Sequence, residues 1–408
     1  MEKKCKFLAE RKQKVGEMKK ALVVGVGLQG KAVIHDLNRS PLVDEIVAAD
    51  QDVESAREFT KKNGLKKVRF LTLDASSERE LHRAIKESEA QVVICMLPPT
   101  FNHTVARAAL DAGIPFVCSS YTGKLSELAQ DAIAKGVTIL PEMGMDPGID
   151  LLLGQLAIAE LDEVHGLNSY GAGLPEPSCA DNPIRYKITW TFDGVLVAYK
   201  RPGRLLKDGI ERSIPGTQMF RQENIQLADF PDVGELEAYP NGDALRYVDV
   251  FGLGKTVKTM GRFGMRYPGH CRFWQTLVDL GFLEDTPLMI NGVAVSPHQF
   301  LVKHLSPRLQ FGPQERDIVI VRVQAWGLKN GKKASVVYDL TDYRDLETGL
   351  FAMNRTVGYT TSIAAQMILS GTIAKPGVLS PARDVPAGKV LKELQARGMH
   401  VERRADFT

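Results

Sequence analysis

The stretch "ALVVGVGLQG" at residues 21–30 constrains the fold more than any other part of the chain. A β-rich apolar run meets glycines spaced G-x-G-x-x-G, at Gly25, Gly27 and Gly30. "LQGKAVIHDLNRS" then continues as an amphipathic helix, with Leu28, Ala32, Val33 and Leu37 on one side. Each glycine has a physical job. Gly25 permits a tight turn after the strand, Gly27 lets the backbone approach a pyrophosphate, and Gly30 lets the helix pack close to the sheet. Leu28 and Gln29 lie in the same cradle, where free N–H groups and the helix dipole would hold the anion. A second strand, "EIVAAD", ends in Asp50, twenty residues past Gly30. That context turns a common glycine pattern into a dinucleotide site.

Strand and helix keep alternating. "KVRFLTLD" is a third strand ending in Asp74, and "AQVVICMLPP" is a fourth that runs through Leu97 to the stop at Pro98 and Pro99. Two more steps follow, through "VTILPEMGMDPG". The pattern is that of an α/β protein with a Rossmann-type doubly wound parallel sheet, whose ligands bind beyond the carboxyl ends of the strands. Asp50 would accept hydrogen bonds from ribose hydroxyls and repel a 2′-phosphate. No Lys or Arg directly follows it in "ADQDVES", so NAD is expected rather than NADP.

At 408 residues the chain is long for one core, and two domains are expected. No apolar run reaches the roughly 20 residues that span a bilayer, so no membrane partner is expected. The first twenty residues carry eight Lys/Arg against three Glu, and without them the net charge of +3 becomes −2. The body is not basic, which removes the electrostatic case for nucleic acid. The leader has no apolar core for secretion, and its glutamates count against mitochondrial targeting; it reads as a frayed helix or disordered tail, with Met18 a candidate start. Five dispersed cysteines without a C-x-x-C pair indicate reduced thiols and a cytoplasmic location, and no cluster has metal-ligand spacing.

Later stretches go beyond periodicity: "SSYTG" (119–123), "PEMGMDPGID" (141–150), "YGAGLPEPSCADNPIRYKITW" (170–190) and "RYPGH" (266–270). Together they resemble the saccharopine dehydrogenase family, over about residues 20 to 400. The charge pattern marks a basic leader (1–19), and the resemblance implies that a dinucleotide-binding domain (20–149 plus 352–408) follows it. An inserted α/β domain with a mixed sheet (150–351) interrupts it, carries substrate and catalytic groups, and forms a homodimer. It implies cofactor contacts at Leu97, Ser119, Ser120, Met145, Asp146 and Pro147. Asp74 would lie near the adenosine, and Thr189 or Thr191 would reach in from the second domain. Substrate would touch Ser120, Tyr121 and Asp146. "DPG" has an alternative reading as a helix start, with Asp146 as N-cap and Pro147 in the first turn. Tyr186 and Trp190 read as core.

The resemblance further implies an NAD(P)-dependent oxidoreductase acting on a CH–NH2 or CH–NH group of an amino acid. Two positions depart from the saccharopine reductases of the family. Gly242, in "YPNGDALRY", stands where they carry arginine, and Gly264 where they carry a small hydroxyl residue. "RYPGH" and "GYTTSIAAQMILSGTIAKPGV" look more like lysine 6-dehydrogenases. The expected reaction is therefore oxidative deamination of L-lysine at its terminal amine, to allysine and piperideine-6-carboxylate. Saccharopine dehydrogenase (reductase) or carboxynorspermidine dehydrogenase chemistry is the alternative, and a non-catalytic NAD-binding sensor is the alternative of another class. An ammonium of pKa about 10.4 has no lone pair to expel hydride, so a base or a desolvating pocket is needed. Candidates are Tyr121, Glu142, Asp146 and His270, the last with a structural hydrogen-bonding role as its alternative. Arg266 is the first candidate to anchor the substrate carboxylate, with an ordinary ion pair as alternative. Arg246 is placed to compensate for Gly242.

Overall fold

Apart from the half-exposed edge strand at 68–72, the strands that follow one another in the first third of the chain are buried along nearly their whole length, as in a parallel sheet covered on both faces. The computed structural model describes residues 18–408; the expectation for the leader falls outside them up to residue 17. Six strands alternate with helices: β1 (Lys20–Val24), α1 (Leu28–Arg39), β2 (Glu45–Asp50), α2 (Glu54–Lys62), β3 (Val68–Thr72), α3 (Glu78–Ser88), β4 (Val92–Cys95), α4 (Asn102–Asp111), β5 (Phe116–Cys118), α5 (Ala129–Lys135) and β6 (Thr138–Leu140). Helix α6 (Ile149–Ile158) then leads out to the second domain.

That domain holds β7 (Glu163–Pro175), α7 (Phe192–Ala198), β8 (Gly203–Lys207), β9 (Ile210–Ile214), β10 (Gln226–Phe230), β11 (Gly234–Pro240), α8 (Arg246–Val250), β12 (Thr259–Arg266) and α9 (His270–Asp279). It continues with β13 (Leu288–Ile290), β14 (Val293–Val295), α10 (Pro297–Leu305), β15 (Asp317–Lys329) and β16 (Lys332–Tyr343). The chain returns through α11 (Ala352–Leu369), β17 (Gly377–Val378), α12 (Ala387–Ala396) and β18 (His400–Phe407).

The first sheet has the order β17-β6-β5-β4-β1-β2-β3, all parallel. The second has β10-β11-β12-β7-β15-β16-β18, with β8 and β9 branching from β12. It is mixed: β12 runs parallel to β7, and the other pairs are antiparallel. The architecture is thus a Rossmann-type parallel sheet with a separate mixed sheet. One boundary needs correction. Residues 352–408 were all expected in the first domain, but β18 pairs with β16 along the edge of the second sheet.

Helix α11 closes the first domain against α1. A Cβ on Gly358 would stand 2.6 Å from Ala32 Cβ, so the two helices touch where only a hydrogen fits. Beside that contact the buried Asp36 accepts from Ser362 Oγ (2.6 Å) and Gln366 Nε2 (2.9 Å) and pairs with Arg397 (2.6 Å). A buried carboxylate is tolerated because each oxygen is bonded. Among the described residues, no helix is long and apolar enough to cross a membrane, no His/Cys/Asp/Glu group could hold a metal, and Cys95, Cys118, Cys179 and Cys271 are free thiols.

Candidate active site

The glycine loop has the form the pyrophosphate cradle requires. Gly25 has φ +94°, and a Cβ there would stand 2.7 Å from the Leu97 backbone nitrogen. A Cβ on Gly30 would stand 2.1 Å from the Gly25 carbonyl oxygen, so the helix start is pressed onto the turn. A Cβ on Gly27 would meet nothing within 4 Å. Gly27 is the N-cap of α1, and no side chain caps the helix. Its first N–H groups therefore face open space, ready for an anion. Asp50 has a structural role beside the one expected from the sequence. Its Oδ2 accepts from the Val26 N–H (2.8 Å) and Oδ1 from the Gln51 N–H (2.7 Å), so the carboxylate also fixes the loop. Gln51 Nε2 donates to Asp74 (2.9 Å), which brings both expected adenosine-side acids to one edge. These residues fit a pyridine dinucleotide.

The opposite end of the cradle is built from the turns after β5 and β6. Ser119 packs beside Gly144, and Ser120 O accepts from the Glu142 N–H (2.9 Å), which joins the two turns. In the tight turn that follows, the Gly144 N–H donates to Pro147 O (3.0 Å). Helix α6 begins only at Ile149 with Gly148 as its N-cap, so Asp146 does not cap it and the alternative reading of "DPG" fails. Asp146 points instead at the second domain. It forms a salt bridge with Arg262 of β12 and accepts from Asn241 Nδ2 (3.0 Å). A Cβ on Gly171 of β7 would lie 3.1 Å from its Oδ2.

Arg262 is 4% exposed and organises the centre. Its Nε and Nη2 grip Asp150 (3.1 and 2.7 Å), and Nη1 donates to the Tyr121 hydroxyl (3.1 Å). Asp150 also accepts from the Gly148 N–H (2.8 Å). Burial pushes the Asp150 carboxyl up, to about 6, against the pull of Arg262; the charge on Asp146 pushes the same way as burial. Burial likewise pushes the Tyr121 phenol up to about 12, so it stays protonated at neutral pH.

Three expected residues hold different positions from the reacting rim. Glu142 is buried and accepts from the Thr122 N–H (3.0 Å), Thr122 Oγ1 (2.9 Å) and Arg246 Nη2 (3.3 Å). It braces a turn and is not a free base. Arg246 is engaged by that contact and lies over the Tyr247 ring at 5.2 Å, rather than standing free for a ligand. His270 is buried in the second domain. Its Nδ1 faces the Ile184 carbonyl (3.4 Å) and its Nε2 the Tyr199 hydroxyl (2.8 Å). Burial, helped by Arg266, drives its pKa well below 6.5, so it is a neutral structural histidine.

Arg266 lies among the Tyr186, Tyr199 and Tyr239 rings, 5.3 to 5.9 Å from each. Nε donates to Tyr199 (3.1 Å) and Nη1 to the Met265 carbonyl (2.7 Å). No carboxylate among the described residues pairs with it, and the buried Tyr186 hydroxyl beside it has no partner. Thr189 is buried against Gly173, and Thr191 caps α7 through the Gly194 N–H (3.3 Å). Sequence reasoning missed Arg262, Asp150 and Asn241. The available signal was a second arginine, four positions before Arg266, on the same face of a strand with few other polar residues.

Comparison with known proteins shows the family and the fold. The family model described as the saccharopine dehydrogenase NADP binding domain matches residues 21–140, and that of the saccharopine dehydrogenase C-terminal domain matches residues 144–399. The mitochondrial alpha-aminoadipic semialdehyde synthase of Mus musculus is 27% identical over 93% of this chain and 47% of its own length. The chain thus spans about half the length of the first curated relatives. Saccharopine dehydrogenase [NADP(+), L-glutamate-forming] of Saccharomyces cerevisiae is 27% identical over 92% of this chain and 97% of its own. The solved apo structure of the Saccharomyces cerevisiae saccharopine dehydrogenase (L-Glu forming) superposes with a TM-score of 0.83 at 25% identity, covering 95% of this chain and all of the other.

Proposed function

Because the chain belongs to the saccharopine dehydrogenase family, we propose that this pyridine-nucleotide-dependent amino-acid oxidoreductase oxidises the secondary amine of a saccharopine-type substrate, giving glutamate and an amino-acid semialdehyde. The names of the relatives support this reading over the terminal-amine oxidation of lysine that the sequence favours. One observation carries it: Asp146 is presented by the first domain at the carboxyl ends of the strands and is held by Arg262 and Asn241 of the second.

A bound oxidised nucleotide supplies the hydride acceptor. The chain's own residues do the rest. Gly25, Gly27 and Gly30 seat the pyrophosphate. Asp146 accepts the substrate N–H and takes its proton, which frees the lone pair that pushes hydride off the adjacent carbon; water then adds to the carbon of the resulting C=N bond, and the C–N bond breaks to release glutamate and the semialdehyde. Tyr121 stays protonated and orients the nitrogen. Arg262 and Arg266 lie on one face of β12, since alternate residues share a face, and their Cα atoms are about 13 Å apart with Gly264 between them. Arg266, lacking an internal carboxylate, anchors one on the substrate through charge-assisted hydrogen bonds. That separation suits a long amino-acid skeleton with its nitrogen at one end and a carboxylate at the other.

Gly242 favours lysine as the second reading. A Cβ there would lie 4.0 Å from the Tyr121 hydroxyl, so the loop carries no cation at this point. Asp50, with no base beside it, favours NAD over NADP. The test is formation of reduced nucleotide from NAD and from NADP, with saccharopine and with lysine. Saccharopine is expected to give at least a tenfold higher kcat/KM. A faster reaction with lysine establishes the second reading, and tight nucleotide binding without turnover on either amine supports a sensor.

A further inference from the structure

We infer that the cleft between α11 and α12 is a binding site for a small carboxylate with an apolar body. The inference is independent of the proposed reaction. Helix α1 starts at the pyrophosphate cradle with Leu28, and its 12 residues carry the chain about 18 Å away, at ~1.5 Å each, before Leu42 is reached at the wall of the cleft. No residue assigned to nucleotide or amine lines it. The cleft holds about 330 Å³, within the range of small-molecule sites. Its apolar side is made by Leu42 together with Ile363 and Met367 of α11, the last two 1% and 8% exposed. Across from them stand Lys389 and Lys392 of α12, three residues apart and so on one face of that helix.

The charges around the cleft do not balance. Besides the two lysines, Arg397 and Glu393 line it. Arg397 is fully engaged. Its Nη1 donates to Glu393 (2.6 Å), and its Nε and Nη2 donate to Asp36 behind the wall (2.6 and 3.1 Å). Gln366 Nε2 also donates to Asp36 (2.9 Å). Both carboxylates beside the cleft therefore belong to Arg397. No ion pair among the described residues includes Lys389 or Lys392. With Asp36 counted, the three cations Lys389, Lys392 and Arg397 face two carboxylates, and a single positive charge is left over. The helix makes that surplus unfavourable. The first turn of α12 holds no acidic residue and no side chain caps it, yet Lys389 stands in that turn. A cation there opposes the helix dipole, and Lys392 one turn on adds repulsion. An anion held by both ammonium groups relieves both penalties.

The two sides of the cleft together select the ligand. One surplus positive charge is balanced by one carboxylate. A bare inorganic anion would satisfy the lysines and leave Leu42, Ile363 and Met367 facing water. A carboxylate on a short branched aliphatic body covers those side chains and meets the ammonium groups at its other end. Ser370 and Thr372 add hydroxyls, 3.1 Å apart, for the remaining lone pairs of the carboxylate.

The test is titration calorimetry of the full chain with isocaproate, with its neutral amide and with inorganic phosphate. Isocaproate is expected to bind the wild type with a Kd below about 1 mM, and the amide and phosphate at least tenfold more weakly. Lys389→Gln with Lys392→Gln is expected to weaken isocaproate at least tenfold. The same double variant should keep wild-type nucleotide affinity and a Tm no lower than that of the wild type, because glutamine is a comparable helix former and the opposition to the dipole is gone. A wild type that does not bind isocaproate, or a double variant that binds it as tightly as the wild type, overturns the inference. Phosphate or the amide binding as tightly as isocaproate overturns the ligand class.

Discussion

Removing Arg262 would leave Asp146 and Asp150 buried beside each other with no cation between them. Breaking such a cluster by deleting one partner costs about 3–5 kcal/mol, because an uncompensated buried charge remains. Arg262→Met is therefore expected to lose that much stability in urea denaturation. Conversion of both carboxylates to amides in the same variant should recover most of it. Asp146→Asn is a milder structural change with a larger functional one. It keeps the shape and loses the proton acceptor, so kcat should fall at least ~100-fold. Nucleotide affinity, read by fluorescence titration, should stay at the wild-type value. Asp146 and Tyr121 were legible because they sit in short, peculiar stretches at strand ends. Arg262 was not, since on a strand such as "TMGRFGMR" a guanidinium two residues from a glycine reads as an edge charge until the other sheet is placed over it. Asp150 lay inside a quoted motif, but a first-turn acid on a helix has an ordinary explanation.

At the scale of elements, the loop that opens α1 separates binding from folding. Gly27→Val places its side chain in open space where the pyrophosphate is expected, and should weaken nucleotide binding at least tenfold with little change in Tm. Gly30→Val drives a Cβ into the Gly25 carbonyl and should lower Tm outright. Calorimetry with and without nucleotide distinguishes the two. Helix α11 offers a pH test. Its first N–H groups, Ala352 and Met353, donate to Asp317 (2.8 and 3.1 Å), and burial pushes that carboxyl up to about 7 from its usual 3.8. A raised native pKa means stability that is full below about 4 and lost as pH rises through about 7. The Tm advantage of the wild type over Asp317→Asn should therefore be largest near pH 4 and shrink as pH rises to 8; a constant gap would refute the assignment. The alternation of buried strands and amphipathic helices made the first sheet readable. Strand β17 was hidden because two residues at a sheet edge carry no period. Strand β18 was hidden because its side chains are mostly exposed and its place depends on a partner strand some sixty residues earlier.

At the scale of the molecule, the chain passes from the parallel sheet to the mixed one, back through α11 and α12, and out again into β18. Such a path ties the sheets together more closely than a linker would. Their contact is apolar as well as ionic. One buried cluster includes Val23 and Ile94 of the first sheet, Leu152 of α6, Val319 and Val321 of the second sheet and Ile363 of α11. Burial shared in this way cannot be lost by one sheet alone, because opening either exposes side chains of the other. The Arg262 bridge to Asp146 and Asp150 adds the same coupling at the substrate end. The full chain is thus expected to melt in a single calorimetric transition. Nucleotide held at about 100 times its Kd should stabilise the whole of it by about 2.7 kcal/mol, although every residue assigned to the pyrophosphate lies in the first domain. Two transitions, with only one moved by the nucleotide, would show instead that the sheets unfold independently and that the Asp146–Arg262 contact does not couple them.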